Sequence, residues 1–225
     1  MIWESRVEKL LGIQIDNKLN FASHVTTICQ KANRKLSALR RYSRLLSFEK
    51  RRILFKAFVE SQFAYSPLVW MFHSRSLNKK INRLHERALR MVYDDDISTF
   101  SKLLLRDGSF TVHERNIQSL AIEMFKAKMK IGPSLLEDIF TLTEYNGPSL
   151  RSKSEFNRPN INTVHFGEDS LKYLGPLIWD LIPNGIKSIG NLEQFKSEVR
   201  KWSPEKCPCR LCKNYVEGLG YVITF

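Results

Sequence analysis

Between residues 20 and 92, apolar side chains recur at three- and four-residue intervals among positions dominated by cations. Val25, Ile28, Ala32, Leu36, Leu39 and Leu46 form one stripe, and Leu77, Ile81, Leu84, Ala88 and Met91 form another. That period is helical, and a helix with one apolar stripe must bury it against a neighbour. The same block holds 16 Lys and Arg against 3 Asp and Glu, whereas residues 1–19 carry 3 of each sign and residues 93–225 carry 17 of each. The whole net charge of +13 therefore resides in one third of the chain. The pattern predicts a mainly α fold, a helical bundle with a cationic outer surface. Such a surface suits a polyanion, nucleic acid first among them.

The block divides at its punctuation. Asn20 is the expected cap of the first helix. Ser47 caps a second, with Ile53, Leu54, Ala57 and Phe58 as its apolar face, and Pro67 kinks or ends it. Ser76 caps a third. Thr111-Val112-His113-Glu114 has the form of a capping box and opens a helix through Ile117, Leu120, Ala121 and Met124 that ends near Gly132-Pro133. A short helix over 134–140 follows. Residues 141–176 lose the helical period; Asn160–Phe166 alternates weakly as a strand would, and Gly175-Pro176 and Pro183-Asn184-Gly185 bracket an apolar turn around Trp179. A last helix starts at the Asn191 cap and runs through Phe195 and Val199 toward Trp202. At the other end, residues 7–16 read as a strand with no hairpin partner in reach, its sheet expected upstream. The expected organisation is a strand and connection over 1–19, a basic helical domain over 20–140, and a mixed, partly irregular tail over 141–225.

Composition narrows the function classes. Apolar residues make up 43% of the chain, enough for a core. The N-terminal ten residues carry charge where a signal peptide needs an apolar run, and no apolar run approaches a membrane span. An intracellular protein is expected, in nucleus or cytoplasm, with no membrane partner. Four cysteines, three of them crowded near the C-terminus, do not make a disulfide framework.

The sharpest candidate surface is the third helix. Lys79, Lys80, Arg83, Arg87 and Arg90 share one arc opposite the apolar stripe, and Lys79 to Arg90 spans roughly 16 Å at the helical rise. In the first helix Lys31, Arg34, Lys35, Arg40, Arg41 and Arg44 cover everything outside the stripe. A row of cations at that spacing can follow a phosphate backbone. Alternatively each row is a solvated face, with Glu86 pairing Arg83 or Arg90.

Two further constellations are chemical. Tyr93-Asp94-Asp95-Asp96 looks like a polymerase metal site, but two carboxylates holding Mg²⁺ need a tight hairpin, and helical pattern flanks this string on both sides; a connecting turn is expected. Cys207-Pro208-Cys209-Arg210-Leu211-Cys212 offers three soft ligands. Zinc needs four, and the fourth would come from Cys29, one of the five histidines or another chain. With no fourth ligand nearby, the segment is expected to hold no metal tightly. His85 and His113 read as packing or capping residues. No Gly-rich phosphate loop or Gly-x-Ser-x-Gly is present, and no cofactor is expected.

Four phrases in unbroken order carry a resemblance: Leu10-Leu11-Gly12-Ile13-Gln14-Ile15-Asp16-Asn17-Lys18-Leu19-Asn20-Phe21, Ser61-Gln62-Phe63-Ala64-Tyr65-Ser66-Pro67-Leu68-Val69-Trp70, Leu84-His85-Glu86-Arg87-Ala88-Leu89-Arg90 and Gly175-Pro176-Leu177-Ile178-Trp179-Asp180-Leu181-Ile182-Pro183. With the closing Cys-Pro-Cys-Arg-Leu-Cys, they resemble the region after the palm in reverse transcriptases of LINE-type, non-LTR retrotransposons of the jockey-like group. The resemblance implies that residues 7–19 are a last palm strand and residues 20 to about 130 a thumb with its helical extension. It also implies that the catalytic Phe/Tyr-x-Asp-Asp motif lies upstream of such a segment. The expected function is that of a non-catalytic fragment that grips RNA or an RNA–DNA duplex through its backbone. The alternative is a helical protein-interaction module whose basic block meets an acidic protein.

Overall fold

The structure, a computed structural model, describes residues 7–143, 154–163 and 167–213. It is mainly α, with one small two-stranded sheet. Compactness divides the chain into two units, one up to residue 113 and one over residues 114–222.

The first unit opens with a hairpin, which corrects the expectation of an orphan strand. β1 (Val7–Leu10) pairs antiparallel with β2 (Ile13–Asp16), Val7 opposite Asp16 and Leu10 opposite Ile13. The two-residue turn is Leu11-Gly12, at φ 47° and 89°. Two positive φ values are what a tight hairpin needs, and Asn-Gly is their usual signature. Leucine in the first position hides the turn, at a local cost of about 1 kcal/mol. The Tyr65 hydroxyl donates to the Leu11 carbonyl at 2.7 Å, which fastens the turn.

α1 (Ala22–Tyr42) buries Val25, Ile28, Ala32, Leu36 and Leu39, the expected stripe, together with His24 and Cys29. Asn20 does not cap it: Phe21 at φ 52° precedes the first turn without a side-chain cap, and the Asn20 N–H instead donates to Asp16 Oδ1 at 3.1 Å. β2 is fixed to this helix by Ser23 Oγ donating to Gln14 Oε1 at 2.6 Å and by the Gln14 N–H donating to His24 Nδ1 at 3.3 Å.

α2 (Phe48–Leu54) starts at Ser47, whose hydroxyl accepts from the Lys50 N–H. It continues as a π-helical turn, Phe55–Val59, and a 3₁₀ turn, Glu60–Phe63. The π turn widens the period and turns the inward face. Phe55, Val59 and Phe63 are buried, whereas Ile53, Ala57 and Phe58, expected inside, are exposed. Pro67 ends nothing: it opens α3 (Pro67–Trp70), where a missing N–H is harmless. α4 (Arg75–Tyr93) follows Ser74, not Ser76. It buries Ile81, Leu84 and Ala88 as expected, and also His85, Leu89 and Val92. α5 (Phe100–Asp107) is capped by Thr99 and ends at Gly108, φ 62°. The stripes of α1 and α4, with Phe55, Val59, Phe63, Trp70, Leu103 and Leu104, close one core.

The division between units falls inside the first turn of α6 (Val112–Lys128), so this helix is the leading element of the second unit. α7 (Ser134–Ile139) lies close to its expected place. Residues 160–163 form no strand, and the rest of that expected strand, 164–166, lies outside the described residues. Gly175-Pro176 is not a turn: both lie within α8 (Leu171–Leu181), which buries Trp179. α9 (Asn184–Lys187) and α10 (Leu192–Val199) follow. Asn191 caps α10 as expected, its Oδ1 accepting from the N–H groups of Glu193 and Gln194 at 2.9 and 3.1 Å. The core of this unit is aromatic. Phe125 and Phe195 stack at 4.1 Å, Phe195 stacks on Trp179, and Phe156 meets Trp179 edge-on. α11 (Arg210–Lys213) completes the described chain.

Candidate nucleic-acid interface and candidate metal centre

Because α1 and α4 turn their stripes inward, their cations turn outward. Arg34, Lys35, Arg40, Arg41, Arg44, Lys79, Lys80, Arg83 and Arg87 are all exposed. None of the nine joins an ion pair among the described residues. Arg90, the tenth candidate, differs. It is half-buried, bridges to Glu86 at 2.8 Å and donates to the Asp95 carbonyl, so it closes the end of its own helix. Of the two pairings open to Glu86, the one with Arg90 forms, and Arg83 stays exposed and outside any ion pair among the described residues.

The two basic surfaces adjoin. Arg87 Nη1 donates to Asn33 Oδ1 at 3.2 Å across the α1–α4 seam. One level earlier, burial pushes the Cys29 thiol up to about 11 while the Lys80 ammonium pulls the other way. The bond and this electrostatic influence step in the same direction along the two helices. At 100° per residue Asn33 shares its edge of α1 with Arg40, and Lys80 shares its edge of α4 with Arg87. Cations thus border the seam from both sides. Uncompensated positive charge in such a row raises the local potential and attracts phosphates.

Asp94–Asp96 form the connecting turn that the flanking patterns predict. Asp94 ends α4 at φ 53°. Asp95 Oδ1 accepts from the N–H groups of Ile97 and Ser98 at 3.1 and 2.9 Å, and its other oxygen lies 3.5 Å from Arg106. The Ser98 N–H and hydroxyl hold this carboxyl below the usual range. The three aspartates join no metal-ligating cluster among the described residues. A nearby cleft lined by Phe48, Arg52, Tyr93 and Arg106 offers no spare cation, because Arg52 is spent on Asp107 and Arg106 on Asp95.

The cysteines present the largest departure from expectation. A ring nitrogen of His113 and the sulfurs of Cys207, Cys209 and Cys212 all lie within 4.8 Å of one another. The fourth donor missing from the sequence is thus a histidine in the first turn of α6, not Cys29, which packs in the apolar core with Val25, Ile28 and Ala32. Nothing in the spacing of residue 113 marks it, since 94 positions separate it from Cys207. Cys209 and His113 are buried, and Cys207 and Cys212 half-buried. Hydrogen bonds with Cys207 and Cys209, followed by burial, push the Cys212 thiol far up.

Comparison with protein-family models, with curated proteins and with solved structures found no match. Among the described residues no helix is long and apolar enough to cross a membrane.

Proposed function

We propose that this chain binds the sugar–phosphate backbone of RNA or of an RNA–DNA duplex through the paired basic faces of α1 and α4, as a thumb-like part of a retrotransposon reverse transcriptase would. One observation carries the reading: nine exposed cations on two packed helices and the turn that follows the first, none of them held in an ion pair among the described residues. A protein that kept these residues for solubility alone would gain from interspersing acids, and α1 contains none. The ordered resemblance to the region after a palm supports the same role, since a thumb grips template and primer without reading sequence.

In this role the chain supplies the grip and no catalytic step. Asp94 and Asp95 serve a helix end and a turn, and neither carboxylate is assigned a metal ion.

The test is a salt titration of affinity for a mixed-sequence RNA–DNA duplex. Backbone binding releases counterions, so log K falls linearly with log salt with a slope of about −0.9 per phosphate contact. Weak dependence on base sequence and a slope steeper than about −4 are expected. Absence of binding at low salt, together with tight binding to an acidic polypeptide, would replace this reading by that of a protein-interaction module.

A further inference from the structure

We infer that His113, Cys207, Cys209 and Cys212 form a structural zinc site that fastens the segment after α10 to the start of α6. Zinc bonds of about 2.3 Å to sulfur and 2.0–2.1 Å to nitrogen place neighbouring donors of a tetrahedron about 3.5–3.8 Å apart. The four donor atoms already lie within 4.8 Å of one another. The remaining gap is about 1 Å, within the reach of side-chain rotation.

The surrounding chain is built to hold them there. The Cys212 N–H donates to the Cys209 carbonyl at 3.0 Å, a one-turn closure that brings the two ends of Cys-x-x-Cys together. Proline between Cys207 and Cys209 restricts the approach from the other side. The strand of chain leading to the cysteines is tied to α6 twice. Gln118 Nε2 donates to the Trp202 carbonyl at 2.8 Å, and Ser203 Oγ donates to Glu114 Oε1 at 2.8 Å. His113 precedes Glu114 in the same continuous helix, so these bonds hold the chain just before the cysteines close to the imidazole's helix.

The donor set selects the ion. Three thiolates and one imidazole are soft to borderline ligands that suit Zn²⁺ and reject Mg²⁺ and Ca²⁺. Four protein donors leave no open position for water, which makes the site structural, not hydrolytic. Binding forms one Zn–N and three Zn–S bonds and releases thiol protons to solvent; nothing is oxidised or reduced. The site is independent of the basic surface, so loss of either leaves the other to be tested.

Zinc is measured directly on the full chain purified under reducing conditions. About one zinc per chain is expected by elemental analysis. Replacement by Co²⁺ should give the intense visible bands of tetrahedral coordination and thiolate-to-metal charge transfer. His113→Gln should weaken Zn²⁺ affinity by about 100-fold or more, in competition with a chromogenic chelator. His113→Cys keeps four donors and should retain zinc with altered cobalt bands. That rescue separates loss of a ligand from loss of folding, and Cys29→Ser, a change in the buried face of α1, should leave the zinc content and the cobalt bands unchanged. A chain free of zinc that gives no cobalt bands would overturn the site. Unchanged zinc affinity in His113→Gln would overturn it equally, as would a disulfide among the three cysteines persisting in reductant.

Discussion

Arg87 reaches from α4 to Asn33 of α1 at 3.2 Å, so a cation of one helix is anchored on the flank of the other. The contact orders the boundary between two basic faces and uses one N–H of a guanidinium that carries several, so others can meet a further acceptor. It also makes Arg87 more than a point of charge: its planar fork can hold the seam and a phosphate oxygen together.

Charge reversal at Lys80, Arg83 and Arg87 to Glu should reduce the slope of log K against log salt by about 3 and weaken duplex binding strongly at moderate salt. The matched control is Lys130, Lys172 and Arg200 to Glu, three exposed cations of the second unit without an ion pair among the described residues. The control should change affinity far less. Equal losses from both triples would show that total charge, not the α1–α4 surface, governs binding. Arg90→Glu should act differently, through stability, because it opposes Glu86 and removes the bond to the Asp95 carbonyl.

A buried carboxylate organises the far end of α5. The Asp107 side chain is 1% exposed and accepts from Arg52 Nε at 2.9 Å and from the Tyr93 hydroxyl at 2.8 Å. Burial, then the bond to Asp107, raises the Tyr93 phenol to about 12. Asp107→Ala should destabilise the first unit by about 2 kcal/mol, since it strands two donors while Arg52 remains partly solvated. Tyr93→Phe should cost about 1 kcal/mol. A double-mutant cycle read by hydrogen exchange in α4 and α5 checks both; additive losses would show that the two residues do not share the carboxylate.

The parts of this fold legible in the sequence are those that repeat. The stripes of α1 and α4 recur over several turns, and their cations are read off as the remainder. Ser47 and Asn191 are visible because a cap is a local signature. What escapes depends on single conformations or on distance. Leu11-Gly12 conceals a hairpin because leucine rarely takes positive φ. The π turn at Phe55–Val59 exchanges Ile53 and Phe58 for Phe55 and Val59 without any mark in composition. Gly175-Pro176 resembles a turn, yet it is accommodated inside α8 by its neighbours. His113 is the extreme case: tertiary structure alone pairs it with Cys207, Cys209 and Cys212.

Gly175 shows why that helix tolerates a residue of poor propensity. A Cβ there would lie 2.6 Å from Phe140 Cε1 and 3.2 Å from Met124 Sδ. The glycine is required by the close approach of an aromatic ring, not by its own dihedrals. Gly175→Ala gains about 1 kcal/mol in helix propensity but forces the ring aside, at a cost of about 1–3 kcal/mol. A net loss of about 1 kcal/mol is expected in urea denaturation of the second unit. Phe140→Leu should lessen the penalty of the alanine, because it withdraws the colliding atoms; a larger penalty in the leucine background would contradict the steric account.

His24 gives the first unit a dependence on acidity. The residue is 4% exposed, and Nδ1 accepts from the Gln14 N–H, which requires the neutral ring. Burial, aided by the Lys31 charge, lowers its value below the ordinary 6.5. The unfolded chain therefore takes up the proton first as pH falls, and the native state loses stability below about pH 6.5. The contribution is fully present above 6.5 and declines as pH falls toward the lower folded value. His24→Asn retains an acceptor for Gln14 but no titrating group. The urea midpoint of the native sequence should fall between pH 7.5 and pH 5.5 by more than that of the variant. Equal falls in both proteins would assign the acid sensitivity to other groups and show that His24 enters the folded state already able to carry its proton.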